Sequence, residues 1–348
     1  MKIDGIAMQV PDRVITNEDL VQKFIAKNYH SLDNELDSAV DRLYELFQSS
    51  GLETRRWLHE KEPWFPYLRR AIENALNMAG KDLGDIDCVI YSSVYKTVLE
   101  PSMAALVAKS LGLMRASCFD ISEACGGWAR SISVANAYLM TGQFKNILLL
   151  SNEAFGNDTT YGKDALGIKT IEDLEWAFPS YTVGSAATAT LLSADESRPW
   201  DIAMEAENKF AGYCLYPMSW PEDHEHDMGE FNSKGVGNGY FTCYGRLLQM
   251  AGLRTVVKFA RKKLDKINAA DIFIPHTQSY TFYTQVCRLL NVEPNLYSIY
   301  PKYGNVITSS LPATIADALA SDCLKREEEI FMLIPASGLS IGAFSFRF

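Results

Sequence analysis

The sequence predicts an α/β protein built from two tandem units in a layered α/β/α/β/α arrangement. Three observations predict it. Short apolar runs of strand length alternate with segments of helical period along most of the chain. The order of those elements in the first half recurs in the second. The length, 348 residues with 47% hydrophobic, is ample for a large core and long for a single simple one, so two packed halves are expected. Strands alternating with helices imply parallel sheets covered on both faces.

In the first half, CVIYSS (88–93) reads as a buried strand. PSMAALVAKSLGL (101–113) reads as a helix, with Pro and Ser at its start. SCFDI (117–121) is strand-like, and 126–141 is helical, with Ile132, Ala135 and Leu139 on one face. ILLLS (147–151) and TATLLSA (188–194) are further buried strands. In the second half the order returns: a helix over 251–266, the strand DIFIP (271–275), a helix near 277–291, the strand LYSIY (296–300), a helix near 309–323, and the strands EIFMLI (329–334) and AFSFRF (343–348). The polar, proline-containing DESRPW near 195–200 divides the halves, giving units 1–196 and 197–348. Two segments, 154–183 and 214–246, read as insertions, and long loops in a compact domain often shape the approach of substrate.

A net charge of −10 disfavours nucleic acid and anionic membranes as partners. No run approaches the ~20 apolar residues that span a bilayer, and MKIDGIAMQVPDRV lacks the apolar core of a secretory signal. The seven cysteines are odd in number, dispersed and without CxxC, so a reducing, cytoplasmic setting is expected rather than a disulfide framework. His224 and His226, among Glu222, Asp223, Glu225 and Asp227, lie adjacent in a polar stretch without a well-spaced fourth ligand, so no metal site is expected.

Three residues carry the chemistry. Cys125, in FDISEACGGW, follows a strand and opens a helix, where the helix dipole and free backbone N–H groups favour the thiolate. Most cysteines are simply small buried residues, but few stand at such a junction. His276 ends the apolar run of DIFIPHTQSY, at the carboxyl end of a strand, where ligand chemistry gathers in α/β sheets. Asn305, in PKYGNVITSS, precedes a helix, and alone it reads as a cap or turn residue. Together, a cysteine with a spatially adjacent His and Asn is a nucleophile arrangement.

Those motifs resemble the ketoacyl synthase III branch of the thiolase superfamily. The resemblance runs over nearly the whole chain, through GIAMQVPDRVITNEDL, GLETRRW, FDISEACGGW, VGSAATATLL, FIPHTQS, YGNVITSSLP and GLSIGAFSFRF. It implies the thiolase fold, two tandem βαβαβαββ halves in five layers. It also implies a ping-pong reaction with no tightly bound cofactor. Cys125 would take an acyl group from acyl-coenzyme A or an acyl carrier protein, and His276 with Asn305 would hold the carbonyl of a malonyl-type thioester as CO2 leaves. The oxyanion formed at acyl-Cys125 would rest on the N–H of Cys125 and one near Ser337. A homodimer is expected, paired through the buried NILLLS strand.

Several positions depart from the fatty-acid-initiating pattern. Glu123 stands where small residues are usual, Ala336-Ser337-Gly338 replaces three glycines, and Thr281 stands where an arginine commonly faces the carrier protein. Glu100 occupies a loop from which relatives send an apolar residue into the partner subunit, and some head-to-head condensing relatives use a glutamate there as a base; otherwise it is a solvated loop residue. These departures point to a specialised branch such as polyketide or other secondary-metabolite synthesis. Trp128 is placed to limit pocket depth. Lys258, Lys262 and Lys266 recur every four residues beside Arg261 and make a basic face for an anionic carrier or coenzyme A. Arg56 and Trp57 match a segment that holds the nucleotide of coenzyme A in relatives. Two other readings share this sequence: an acyltransferase of the same fold that forms an ester or amide with His276 as general base, and a non-catalytic partner subunit.

Overall fold

The computed structural model describes residues 1–155, 166–216 and 241–348. The acidic His224–His226 stretch falls outside them. Two main sheets form the framework. The first runs in the order Lys2–Gln9, Ala186–Ser193, Asn146–Glu153, Cys88–Ser92, Ser117–Ile121. The second runs Ile272–Pro275, Glu329–Ala336, Ser340–Arg347, Asp201–Ala206.

Strand side chains alternate between faces, and the burial of these strands follows that period. In the first sheet, Cys88, Ile90, Ile147 and Leu149 face the central core, while Val89, Tyr91, Leu148 and Leu150 face an outer one with the helices Phe65–Ala79 and Met103–Leu111. In the second, Ile274, Ile330 and Met332 face the same central core, while Phe273, Phe331 and Leu333 face outward toward the helices Gly245–Arg261 and Tyr280–Leu290. The helices Gly127–Met140 and Ser310–Ala320 fill the centre, supplying Trp128, Ile132, Leu311 and Ile315. The layers are therefore helix, sheet, helix, sheet, helix, as the alternation predicts. Trp128 is part of this core, its indole N–H on the Thr190 hydroxyl at 3.1 Å, and it does not line the cavity described below.

The strands are less uniform than expected. Only Asn146–Glu153, Cys88–Ser92 and Ser117–Ile121 pair in parallel in the first sheet, and only Ile272–Pro275 with Glu329–Ala336 in the second; the remaining pairs are antiparallel. Glu329–Ala336 and Ser340–Arg347 show why, because the three residues between them can only reverse the chain. LYSIY is not a strand: Leu296 makes an isolated bridge to Phe273, and Tyr300–Tyr303 is a short helix. Pro301 has no N–H to give a ladder and suits a first helical turn. The periodicity also passes over the strands Lys2–Gln9 and Asp201–Ala206 and the helices Asn17–Leu32, Leu36–Ser50 and Phe65–Ala79. The NILLLS strand is interior, with a neighbour on each side, so it has no edge to offer a second chain; Ser117–Ile121 is the edge strand on that side among the described residues.

Gly5 lets an outer helix lie close against the first sheet. A Cβ there would fall 1.9 Å from the Ala75 carbonyl oxygen, within the helix Phe65–Ala79. Gly5→Ala is expected to cost about 3 kcal/mol, seen as a lower urea midpoint at unchanged m-value; an unaltered midpoint would contradict this packing.

Candidate active site

The strand Ser117–Ile121 runs into a sharp turn at Ala124, whose φ of 44° is left-handed, and the helix Gly127–Met140 follows. Cys125 stands on that turn. The turn is fixed from the other half of the chain: the Thr308 hydroxyl donates to the Ala124 carbonyl at 2.8 Å. Gly127 is required, since a Cβ would lie 2.1 Å from Ser92 Oγ and 3.1 Å from Thr308.

His276 follows the strand Ile272–Pro275. Its backbone N–H donates to the Leu333 carbonyl at 3.1 Å, and its ring Nδ1 lies 2.6 Å from the Ser310 hydroxyl on the central helix. Asn305 is held on both backbone sides, donating to Thr182 at 2.8 Å and accepting from Gly184 at 3.0 Å. Its side-chain oxygen accepts the Ile307 N–H at 2.9 Å, which leaves the amide NH2 as its free polar end. Cys125, His276, Asn305 and Ser337 line one cavity of about 640 Å³.

Burial governs the charges here. The Cys125 thiol is pushed up, chiefly by desolvation, then by the charges of Cys214 and Glu153; the backbone N–H groups of Cys125 and Ser337 act in the opposite sense. The expected helix-terminus thiolate is thus overturned, because loss of water outweighs the N–H groups. Burial also lowers His276 to about 3, so its imidazole is neutral at pH 7. Glu153, at the end of a central strand, is raised to about 7 by burial although it accepts N–H groups of Val94 and Tyr95 at 3.0 and 3.1 Å and the Ser93 hydroxyl at 3.1 Å.

A match to the family described as 3-oxoacyl-[acyl-carrier-protein] synthase III, C terminal, covers residues 262–348. Similar curated proteins include a beta-ketoacyl-[acyl-carrier-protein] synthase III 2 of Bacillus anthracis, 24% identical over 97% of this chain and 95% of that one. Another is the beta-ketoacyl-[acyl-carrier-protein] synthase III of Aquifex aeolicus, 25% identical over 100% of this chain and 99% of that one. Among solved structures, cerulenin-bound OleA of Xanthomonas campestris superposes with a TM-score of 0.81 at 20% identity, covering 99% of this chain and 96% of that one. Over nearly its whole length the chain is similar to proteins named beta-ketoacyl-[acyl-carrier-protein] synthase III, and its last quarter matches the corresponding family. It has the thiolase fold.

The positions at which this ketoacyl synthase III-like chain departs from the common pattern have structural occupations. Glu123 receives Arg130 through Nε and Nη2 at 2.5 and 2.9 Å and the Ser340 hydroxyl at 2.7 Å, tying the turn that carries Cys125 to the C-terminal hairpin. Thr281 lines the cavity and donates to the Ser49 carbonyl at 2.7 Å. Glu100 is exposed and does not line its own chain's cavity.

The docking expectations fare differently. Arg56 donates to the Pro11 and Asp12 carbonyls at 3.3 and 2.9 Å, and the Trp57 indole N–H donates to Val183 at 2.8 Å; neither side chain lines the cavity. Lys258, Arg261 and Lys262 are exposed, but Lys262 pairs with Glu205 at 2.5 Å. Arg246, in the first turn of the same helix, does line the cavity, which puts Lys258 about 18 Å away along the axis. Among the described residues, the basic groups on the cavity wall are Arg42 and Arg246. Described residues of both insertions, including Phe155, Phe178, Leu215 and Phe241, also line it, as their length suggested. Sequence reasoning missed Glu153, Ser310, Cys214 and Cys243. Only Glu153 carried a signal, an acid closing an otherwise apolar run.

The two perturbed groups give opposing pH dependences. For His276, the unfolded chain binds more protons between pH 3 and 6.5, so stability is present above 6.5 and is lost as pH falls. For Glu153, the folded chain binds more protons between pH 4.5 and 7, so stability falls as pH rises through that window. His276→Gln is expected to leave stability falling from pH 4.5 to 7, and Glu153→Gln to leave it rising, in urea midpoints against pH. Parallel curves for the two variants would refute this assignment.

Proposed function

We propose that the protein is a ketosynthase III-like condensing enzyme that works by ping-pong through acyl-Cys125 and a decarboxylative Claisen condensation with a malonyl-type thioester. The observation that carries this reading is the convergence of Cys125, a buried neutral His276 and the Asn305 amide on one cavity. An imidazole lowered to about 3 is a weak base, which favours the donor role over proton abstraction. In the tautomer in which the Ser310 hydroxyl donates to Nδ1, the ring proton sits on Nε2, and that N–H with the Asn305 NH2 supplies two neutral donors for a thioester carbonyl. CO2 departure leaves an enolate on that oxygen, and its carbon attacks the acyl-Cys125 carbonyl. The N–H groups of Cys125 and Ser337 receive the resulting oxyanion, consistent with their action on the Cys125 sulfur.

The apolar wall formed by Phe155, Phe178 and Phe241 suits an acyl chain, and Arg42 and Arg246 suit the phosphate of coenzyme A or of an acyl carrier protein. No tightly bound cofactor is invoked. We place the homodimer contact on the edge strand Ser117–Ile121 rather than on NILLLS.

A second reading is head-to-head condensation of two acyl chains, with Glu100 acting as base in the partner's site. It is favoured by the exposure of Glu100 beside Leu99, itself 74% exposed.

Supplied with an acyl thioester and a malonyl thioester, the protein is expected to release CO2 and yield a 3-oxoacyl product. His276→Ala and Asn305→Ala each lower that release by about a hundredfold or more. Ester or amide formation without CO2 would replace this reading with the acyltransferase one. Condensation of two acyl thioesters without malonate, abolished by Glu100→Gln, would favour the second.

A further inference from the structure

Two cysteines that the condensation does not use stand beside the nucleophile. Cys214, in the strand Cys214–Leu215, and Cys243, in the strand Thr242–Cys243, are directly opposed in an antiparallel pair. The Tyr244 N–H donates to the Tyr213 carbonyl at 2.9 Å, which makes 213 and 244 a hydrogen-bonded position of the ladder. Positions alternate, so Cys214 and Cys243 occupy the adjoining non-hydrogen-bonded position. There the Cα atoms are about 4.5 Å apart and the side chains closest, within the span that a disulfide bridges. Both are free thiols, and both line the cavity with Cys125 and Ser337.

We propose that Cys214 and Cys243 are a redox-active dithiol in the cavity wall, which a peroxide entering the cavity closes to a disulfide while Cys125 stays a thiol. The Cys214 sulfur attacks hydrogen peroxide, the O–O bond breaks, and the leaving hydroxide takes up the Cys214 proton as water, with the formation of a sulfenic acid. The Cys243 sulfur then displaces water from Cys214, and its proton is taken by the departing oxygen. Two thiols and one peroxide become one disulfide and two waters.

The order of reaction follows from the surroundings. Hydrogen bonds from Cys243 and Ser337 hold the Cys214 thiol below its ordinary value, whereas burial holds Cys125 above it. Cys214 is therefore the more thiolate-like sulfur in the cavity, and thiolate character sets the rate of attack. Cys243 is the resolving partner. In a reducing setting the pair rests open.

The test uses the full chain, folded, treated with about one equivalent of hydrogen peroxide, trapped with an alkylating agent and mapped by mass spectrometry. The expected result is a Cys214–Cys243 crosslinked peptide, a mass loss equal to two hydrogens, and an alkylated Cys125. Cys125→Ala is expected to form the same crosslink, and Cys214→Ser to abolish it. Oxidation of Cys125 first, a Cys125–Cys214 crosslink, or no crosslink at all would overturn the proposal. The readout needs no acyl substrate, so it stands or falls separately from the condensation reading.

Discussion

The site depends on one seam, where the turn that carries Cys125 is clamped between the two halves of the chain. Thr308, from the second half, holds the Ala124 carbonyl, and Gly127 lets the helix start lie against Ser92 and Thr308 with no room for a side chain. The same seam continues into the central core, where Trp128 and Ile132 meet Leu311 and Ile315. A left-handed Ala124 is a strained conformation that survives only when its surroundings over-determine it. Here a hydrogen bond, a close-packed glycine and a shared core do so. Cys125 is thereby fixed relative to His276 and Asn305, although each comes from a distant part of the sequence.

That enclosure also sets the electrostatics. Withdrawing Cys125, His276 and Glu153 from water drives each toward its neutral form. Groups held toward their neutral forms give up reactivity at rest and offer pre-aimed donors where developing negative charge is stabilised. It suits chemistry in which charge appears only in the transition state, as in loss of CO2 followed by enolate attack.

Much of this was legible in the sequence. ILLLS and CVIYS are buried on both faces, and continuous apolar runs of that length read as interior strands. The helix after Pro101 begins where Ser102 accepts the Ala105 N–H, as the Pro-Ser pair suggests. The junction positions were readable because Cys125 lies between a strand-like run and a helical one and His276 ends an apolar run. What was hidden depends on distant partners. Lys2–Gln9 becomes a strand because it pairs with Ala186–Ser193, which no local pattern announces. Ionisation followed from burial that only the assembled cavity creates. The TRRW-like segment resembled a nucleotide site, yet Arg56 Nη1 and the Trp57 indole N–H donate to backbone carbonyls.

The central claim is that Cys125 carries the acyl group. The most direct measurement is the intact mass of the protein after incubation with a panel of acyl-coenzyme A and acyl-carrier-protein thioesters, with Cys125→Ala alongside. The account predicts a mass increase equal to the acyl group in the unaltered protein and none in the variant. An equal adduct on both would put the acyl group elsewhere, and no adduct from any thioester would contradict the covalent mechanism.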